Sequence, residues 1–302
     1  MKIDKVVIAC FNKDIALLRT CVASVRYWYP DIDIYLLKDT IQGDFSVDEL
    51  KTYWNCKIYP STRQHFGWGW SILEVLTNPE KGKCLFLDSD TVLLGRVIDK
   101  LNEYDEDFVV TGVEEKDERH PNVNNHYIDM SKIGSIDNGY KYPGYVFNTG
   151  QIVLTSGIFS KADCSEVIEF DPLFKNKYPD VLRYTDQGTL NYILHKAQKE
   201  EKVTVRYDDF WIWPGLPKAA TIHIQNIRSR TENGYPFVLH WAGIKPVDFR
   251  KYLRYDIISF YDDFYYGKIP MGYLKRTYRH LKRLSIARIK IAKYKIFKQN
   301  YV

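Results

Sequence analysis

No stretch of the 302 residues approaches the ~18 consecutive apolar positions of a membrane-spanning helix. The first apolar run, Val6 to Cys10, is too short for the core of a signal peptide and fits a first strand instead. Cysteine is scarce. Cys10, Cys21, Cys56, Cys84 and Cys164 are odd in number and form no C-x-x-C. That argues against a disulfide framework and a zinc site, and a reducing, cytosol-side compartment is expected. Internal repeats and low-complexity stretches are also missing. With 45% apolar and 27% charged residues, disordered and fibrous classes drop out, and the length suffices to bury a sizeable core.

Aromatic residues, by contrast, are in excess: 24 Tyr, 15 Phe and 7 Trp. Their faces suit sugars, bases or lipid interfaces, although many serve core and rim. Charge is unevenly spread. Residues 274–298 contain ten Lys or Arg and no acid. Setting those ten aside leaves 33 basic against 38 acidic residues, so a net +5 chain is a basic tail on a body of −5. Within the tail, Leu274, Tyr278, Leu281, Ser285, Ile289, Ala292 and Ile296 recur at three- and four-residue steps, one face of a helix with cations around the rest. Three surroundings suit such a helix. They are an anionic lipid surface, where each cation contributes ~1 kcal/mol, its own domain or a second copy, and the phosphates of a nucleic acid. Peripheral association with the cytosolic face of an anionic membrane is the expected use, and no nucleic acid is expected.

Along the chain, Val6–Phe11 and Ile32–Leu37 fit buried strands, separated by a helical pattern through Ala16, Leu17, Cys21, Val22 and Val25. Ser46–Trp54 fits a helix with Ser46 as cap and Glu49 three residues on. Ser71–Leu76 is helical, and Lys83–Leu87, Phe108–Thr111 and Gln151–Leu154 are short apolar strands. Strands alternating with helices predict an α/β domain with a mostly parallel sheet. The polar interval 113–145, rich in Asn and Gly, is expected to be a mobile or acceptor-side insertion, with no chemistry assigned to it.

Asp88-Ser89-Asp90 comes directly after the strand KCLFL. Parallel sheets bind ligands at the carboxyl ends of their strands, and two acids one residue apart in a turn can converge on one hard divalent cation. Three further pieces lie downstream. Phe147-Asn148-Thr149-Gly150 precedes an apolar strand. Asp186 and Gln187 stand at a helix start, where a carboxylate can also be a plain cap. His240 ends the run Phe237–Leu239 and leads through Gly243 to Lys245. A neutral imidazole there is a candidate third metal ligand, and Lys245 a point charge for a phosphate.

Together and in this order, over roughly residues 3–248, these motifs resemble the retaining nucleotide-sugar glycosyltransferases of family 8, the group of glycogenin and the bacterial lipopolysaccharide galactosyltransferases. The resemblance implies a single Rossmann-like domain of the A-type glycosyltransferase fold over 1–248, with 249–302 as a C-terminal basic helical extension. It implies Mn2+ (or Mg2+) at Asp88, Asp90 and His240, and a nucleotide-sugar donor carried on UDP in that family's manner. Ala9, Cys10, Phe11 and Asn12 would surround base and ribose. Ser89, Thr149, Gly243 and Lys245 would line the donor, with Asn148, Asp186 and Gln187 beside the transferred sugar. Three departures accompany it, one being Phe11, which stands where the family often has an acid facing the base. Only Ile244 separates Gly243 from Lys245 where the family usually has two residues, and the family's donor-sugar arginine finds its nearest candidate in Arg63. The expected activity is transfer of a hexose to a glycan or lipid-linked acceptor. The alternatives are an inverting transferase, a catalytically silent nucleotide-sugar or glycan-binding module, and a metal-dependent phosphohydrolase.

Overall fold

A computed structural model describes residues 1–61, 63–67, 69–231, 234–243 and 245–299, with side chains as far as 289. The strands that build and flank the site are β1 (Lys5–Phe11), β2 (Asp33–Asp39), β3 (Cys56–Ile58), β4 (Gly82–Asp88), β5 (Thr91–Gly95), β6 (Phe108–Val110), β7 (Gln151–Ser156), β8 (Val205–Tyr207), β9 (Trp211–Ile212) and β10 (Gly234–His240). The helices around them are α1 (Ile15–Trp28), α2 (Asp48–Trp54), α3 (Ile72–Leu76), α4 (Pro121–His126), α5 (Asp186–Lys199), α6 (Tyr255–Gly267) and α7 (Gly272–Gln299).

The central sheet has seven strands in the order β8-β6-β7-β4-β1-β2-β3, and only β7 runs antiparallel to its neighbours. β1 and β4 are buried on both faces, which is why VVIAC and KCLFL are continuous apolar runs rather than alternating ones. A second, three-stranded sheet in the order β9-β10-β5 stands beside the first. Two apolar layers result. One includes α1, α2 and α6, and the other α3, α5 and the 113–145 interval.

Three expectations need correcting. Ser46 does not cap α2. Its hydroxyl bonds the Asp48 carboxylate at 2.8 Å, a local turn that competes with capping, and the helix begins two residues later. The 113–145 interval, expected as a mobile or acceptor-side insertion, is anchored: Val123, Ile128, Ile133 and Tyr145 are buried in the second layer, and Arg183 pairs with Asp129 at 2.7 Å. Nor does packing break at 248, because Phe249, Tyr252 and the Ile257, Tyr261 and Tyr265 face of α6 belong to the same core as α1. Tyr265 stacks on Trp54 at 4.9 Å, and Tyr261 donates to Leu93 O at 2.5 Å.

The basic tail forms α7, and it docks by its cations. Arg279 makes a two-pronged pair with Glu49 at 2.7 and 2.9 Å, Lys275 reaches the same carboxylate, and Arg276 pairs with Asp262 and Asp263. The apolar stripe faces out: Leu274 is 71% exposed and Tyr278 64%, with Leu281 and Ile289 also exposed. Ala292 and Ile296 lie outside the described side chains. Burial opposes ionisation of Glu49, but hydrogen bonds from Arg279 and Tyr265 outweigh it and hold the carboxyl down at about 2. A carboxyl lowered on folding stabilises fully above its ordinary value near 4.5, and that contribution fades as pH falls toward 2. Amide exchange over 272–283 should therefore quicken between those limits, and Glu49→Ala should quicken it at neutral pH by roughly 2 kcal/mol of local stability. Exchange in this segment that ignores both pH and the substitution would contradict the docking role.

Candidate active site

Backbone pairing assembles the site. The parallel register of β1 with β4 sets Ala9 beside Asp88. The antiparallel register of β4 with β7 pairs Leu87 with Gln151, and Asp88 N donates to Gly150 O at 2.7 Å. On the other side, β10 pairs His240 with Thr91, and Trp241 N donates to Asp90 O. Segments distant in the chain are thus fixed against the Asp88-Ser89-Asp90 turn by the sheets themselves.

Asp88, Asp90 and His240 each offer a ligand atom, and all three atoms lie within 4.8 Å of one another. His240 Nε2 is 3.3 Å from Asp90 Oδ1 and 4.0 Å from Asp88 Oδ2. The other ring nitrogen, Nδ1, donates to the buried Gln151 Oε1 at 2.8 Å, which directs Nε2 at the two acids. Gly150 makes the cluster sterically feasible. A Cβ there would meet His240 Cε1 at 2.4 Å and Asp88 Oδ2 at 2.7 Å.

Lys245 completes the cluster, bonding Asp14 Oδ2 at 2.8 Å and lying 3.0 Å from Asp90 Oδ2. Ile244 lies outside the described residues. Burial disfavours the Asp90 charge, but His240 and Lys245 overcome it and hold that carboxyl below its ordinary range. Burial also acts against protonated His240, and Asp90 and Asp88 reverse the effect, so its pKa is raised. Asp88 is pushed up by burial and by Asp90, and Asp14 by burial against the pull of Lys245. His240 and Lys245 together balance an acidic pair of which Asp90 is buried and Asp88 half-exposed.

In the same cleft, Asn148 Nδ2 donates to Gln187 Oε1 at 3.1 Å, Gly150 N donates to Asn148 Oδ1, and Gln187 Nε2 donates to His126 O. Asp186 opens α5 and is buried. Its two oxygens accept from Thr149 at 2.6 Å and Thr185 at 2.9 Å. Burial lifts its pKa to about 7, with Thr149 opposing and the Asp88 charge adding. The backbone of Gly69 presses so close that a Cβ there would lie 2.2 Å from Asp186 Oδ1.

Of the residues singled out from sequence, Ala9, Phe11, Asn12, Ser89, Thr149 and Gly243 line this same cleft. Cys10 does not: strand alternation turns it into the core, with its thiol toward Leu37 O. Arg63 is committed elsewhere, to Asp171 and over the Phe174 ring. Sequence reasoning missed Asp14, which precedes α1 and pairs with Lys245, and His126 and Tyr127, which bring the 113–145 interval into the cleft wall. It also missed Tyr184 and Trp213, exposed aromatics of that wall. Only the aromatic excess hinted at these two rings.

The sheet order and the cleft at its carboxyl end are those of the A-type glycosyltransferase fold. The galactosyltransferase LgtC, solved with donor and acceptor sugar analogues, superposes with a TM-score of 0.52 at 17% identity, over 88% of this chain and 97% of that one. The bifunctional glycosyltransferase WbbM superposes with a TM-score of 0.52 at 14% identity, over 93% of this chain, which spans about half (52%) of WbbM. At these identities the likeness is one of fold. Comparison with curated proteins finds no match. A family model for glycosyl transferase family 2 matches residues 5–156, half of the chain, and the chain belongs to that family.

Gly150→Ala should separate His240 from Asp88 and weaken Mn2+ binding, followed by electron paramagnetic resonance, by at least about tenfold while the circular dichroism spectrum is kept. Unchanged Mn2+ affinity in that variant would remove the cluster from consideration as a cation site.

Proposed function

We propose that this glycosyltransferase moves a hexose from a UDP-sugar to a glycan or lipid-linked saccharide acceptor, with a divalent cation, Mn2+ or Mg2+, and with retention of configuration. The observation that carries the reading is the convergence of Asp88, Asp90 and His240 in a cleft that Asn148, Asp186 and Gln187 also line. Two carboxylates and one imidazole are a suitable donor set for such an ion, and Gly150 leaves the space the cluster requires. When bound, the ion neutralises the diphosphate as it leaves.

The chain's own residues supply the rest. Asp88, Asp90 and His240 would hold the ion, and Gln151 fixes the imidazole. Lys245, held between Asp14 and Asp90, would offer its ammonium to a phosphate beside the ion site. Ala9, Phe11 and Asn12 border base and ribose. Gln187, oriented by Asn148, faces the sugar; an amide is a poor nucleophile, which favours departure and attack on one face. The bond from the anomeric carbon to phosphate oxygen breaks, the bond to the acceptor oxygen forms, and the acceptor's proton passes to the departing phosphate oxygen. Asp186 is buried and engaged by two hydroxyls, so its part is to position Thr149 and the start of α5. Retention itself is drawn from the resemblance to family 8, and the anomeric configuration of the product decides between it and inversion.

A UDP-sugar with Mn2+ should raise the melting temperature more than either alone, since a ligand at 100 times its Kd stabilises by ~2.7 kcal/mol. Gln187→Ala should lower kcat about a hundredfold with little change in KM. Weaker nucleotide binding with kcat unchanged would place Gln187 elsewhere.

Membrane association through 274–298 belongs to the same proposal. Among the described residues no helix is long and apolar enough to cross a membrane. The exposed stripe of α7 amid cations suits the cytosolic surface of an anionic bilayer instead. Leu274→Glu with Ile289→Glu, both at exposed positions, should abolish co-sedimentation with phosphatidylglycerol vesicles at low salt. Undiminished binding would contradict it.

A further inference from the structure

The cleft has a volume of about 1830 Å³ and runs from Ala9 and Asp88 to the inner face of α7. Sites for a single small ligand occupy ~300–1,000 Å³, so there is room here for two ligands side by side. The end at Asp88 and Asp90 is acidic and takes the donor on the function proposed for the site, and the role of the other end rests on that reading. That other end is walled by Phe249, Tyr252 and Tyr266 with Arg279 and Arg283. Its arginines other than Arg283 are paired with acids, while Lys282 lies over the Tyr278 ring. Arg250 is paired with Asp248, Arg276 with Asp262 and Asp263, and Arg279 with Glu49.

Arg283 has no ion pair among the described residues. Its guanidinium carbon sits 4.0 Å from the centre of the Phe249 ring, and its Nε is buried without a hydrogen-bond partner. Burial lowers its pKa, and Tyr252, Asp262, Tyr266 and Asp248 only partly offset that. The two acids among them are engaged by other arginines. Tyr252 lines the same cleft as Lys245, Asp90 and Arg283. A stacked, partly desolvated guanidinium with an unused N–H edge is a ready partner for a phosphate, which it can hold with two parallel hydrogen bonds.

We propose that Arg283, held against Phe249 at the α7 end of the cleft, binds a phosphate carried by the acceptor, so that the acceptor class is a phosphorylated saccharide. The donor's diphosphate is accounted for by the opposite end, so the two anions do not compete. A phosphate could also come from bilayer headgroups, and the experiment separates the two sources.

The full chain, saturated with UDP and Mg2+, is titrated calorimetrically with glucose 1-phosphate and with glucose. Glucose 1-phosphate should bind roughly tenfold tighter than glucose, and Arg283→Gln should erase that preference while the Kd for UDP stays within about twofold. Arg283→Lys, which keeps the charge without the fork, should restore part of it, and matched melting temperatures verify the fold. Co-sedimentation with phosphatidylglycerol vesicles should be the same for Arg283→Gln and the unsubstituted chain. Glucose 1-phosphate affinity unchanged in Arg283→Gln overturns the proposal, as does loss of vesicle binding alone, which would assign Arg283 to headgroups. If UDP itself fails to bind, the donor reading fails, and the glucose 1-phosphate titration still tests Arg283 on its own.

Discussion

Two carboxylates one residue apart, at the end of a strand buried on both faces, repel each other, and the buried one, Asp90, also loses its water. Asp88 and Asp90 are tolerable only because a cation is held against them. Among the described residues that counter-charge comes from His240 and Lys245, with Asp14 sharing the ammonium. A metal-free cluster balanced in this way can exchange a proton and an ammonium for a divalent ion without leaving charge uncompensated. The strands, the glycine and the glutamine around it serve that arrangement: β1, β7 and β10 each fix one neighbour of the acidic turn by main-chain pairing, Gly150 gives up its side chain, and Gln151 aims the imidazole.

The same logic of placed cations recurs at the C-terminus. An amphipathic helix ordinarily buries its apolar face, yet α7 presents its arginines to the body and its leucines and tyrosine to solvent. The cause is the body's negative charge. Glu49, Asp262 and Asp263 stand where α7 passes, and each takes a cation. The helix thereby closes one end of the cleft, so a segment that looks like an appendage contributes a wall to it.

Much of this is legible in the sequence, for identifiable reasons. Buried parallel strands betray themselves as unbroken apolar runs, which locates β1 and β4, and a D-x-D after such a run marks a strand end. The order of Asn148, Asp186 and His240 along the chain points to one site. Legibility ends where long-range partners decide. Glu49 looks like a capping residue and is the anchor of α7, because its partner Arg279 lies 230 positions away. Cys10 goes with Ala9 and Phe11 in sequence, but strand alternation turns it to the other face. The polar interval 113–145 conceals buried side chains spaced too irregularly to show a period. A division at 248 is set by the last motif and not by the core, which continues through α6.

The claim that Asp88, Asp90 and His240 hold a divalent ion stands or falls on what occupies the space between them. Crystals grown with UDP and Mn2+, measured at the manganese absorption edge, test it directly. A single anomalous peak bounded by those three side chains, with the Lys245 ammonium beside a phosphate, is the predicted result. UDP bound in the cleft with no such peak, or with the manganese held elsewhere, would contradict it.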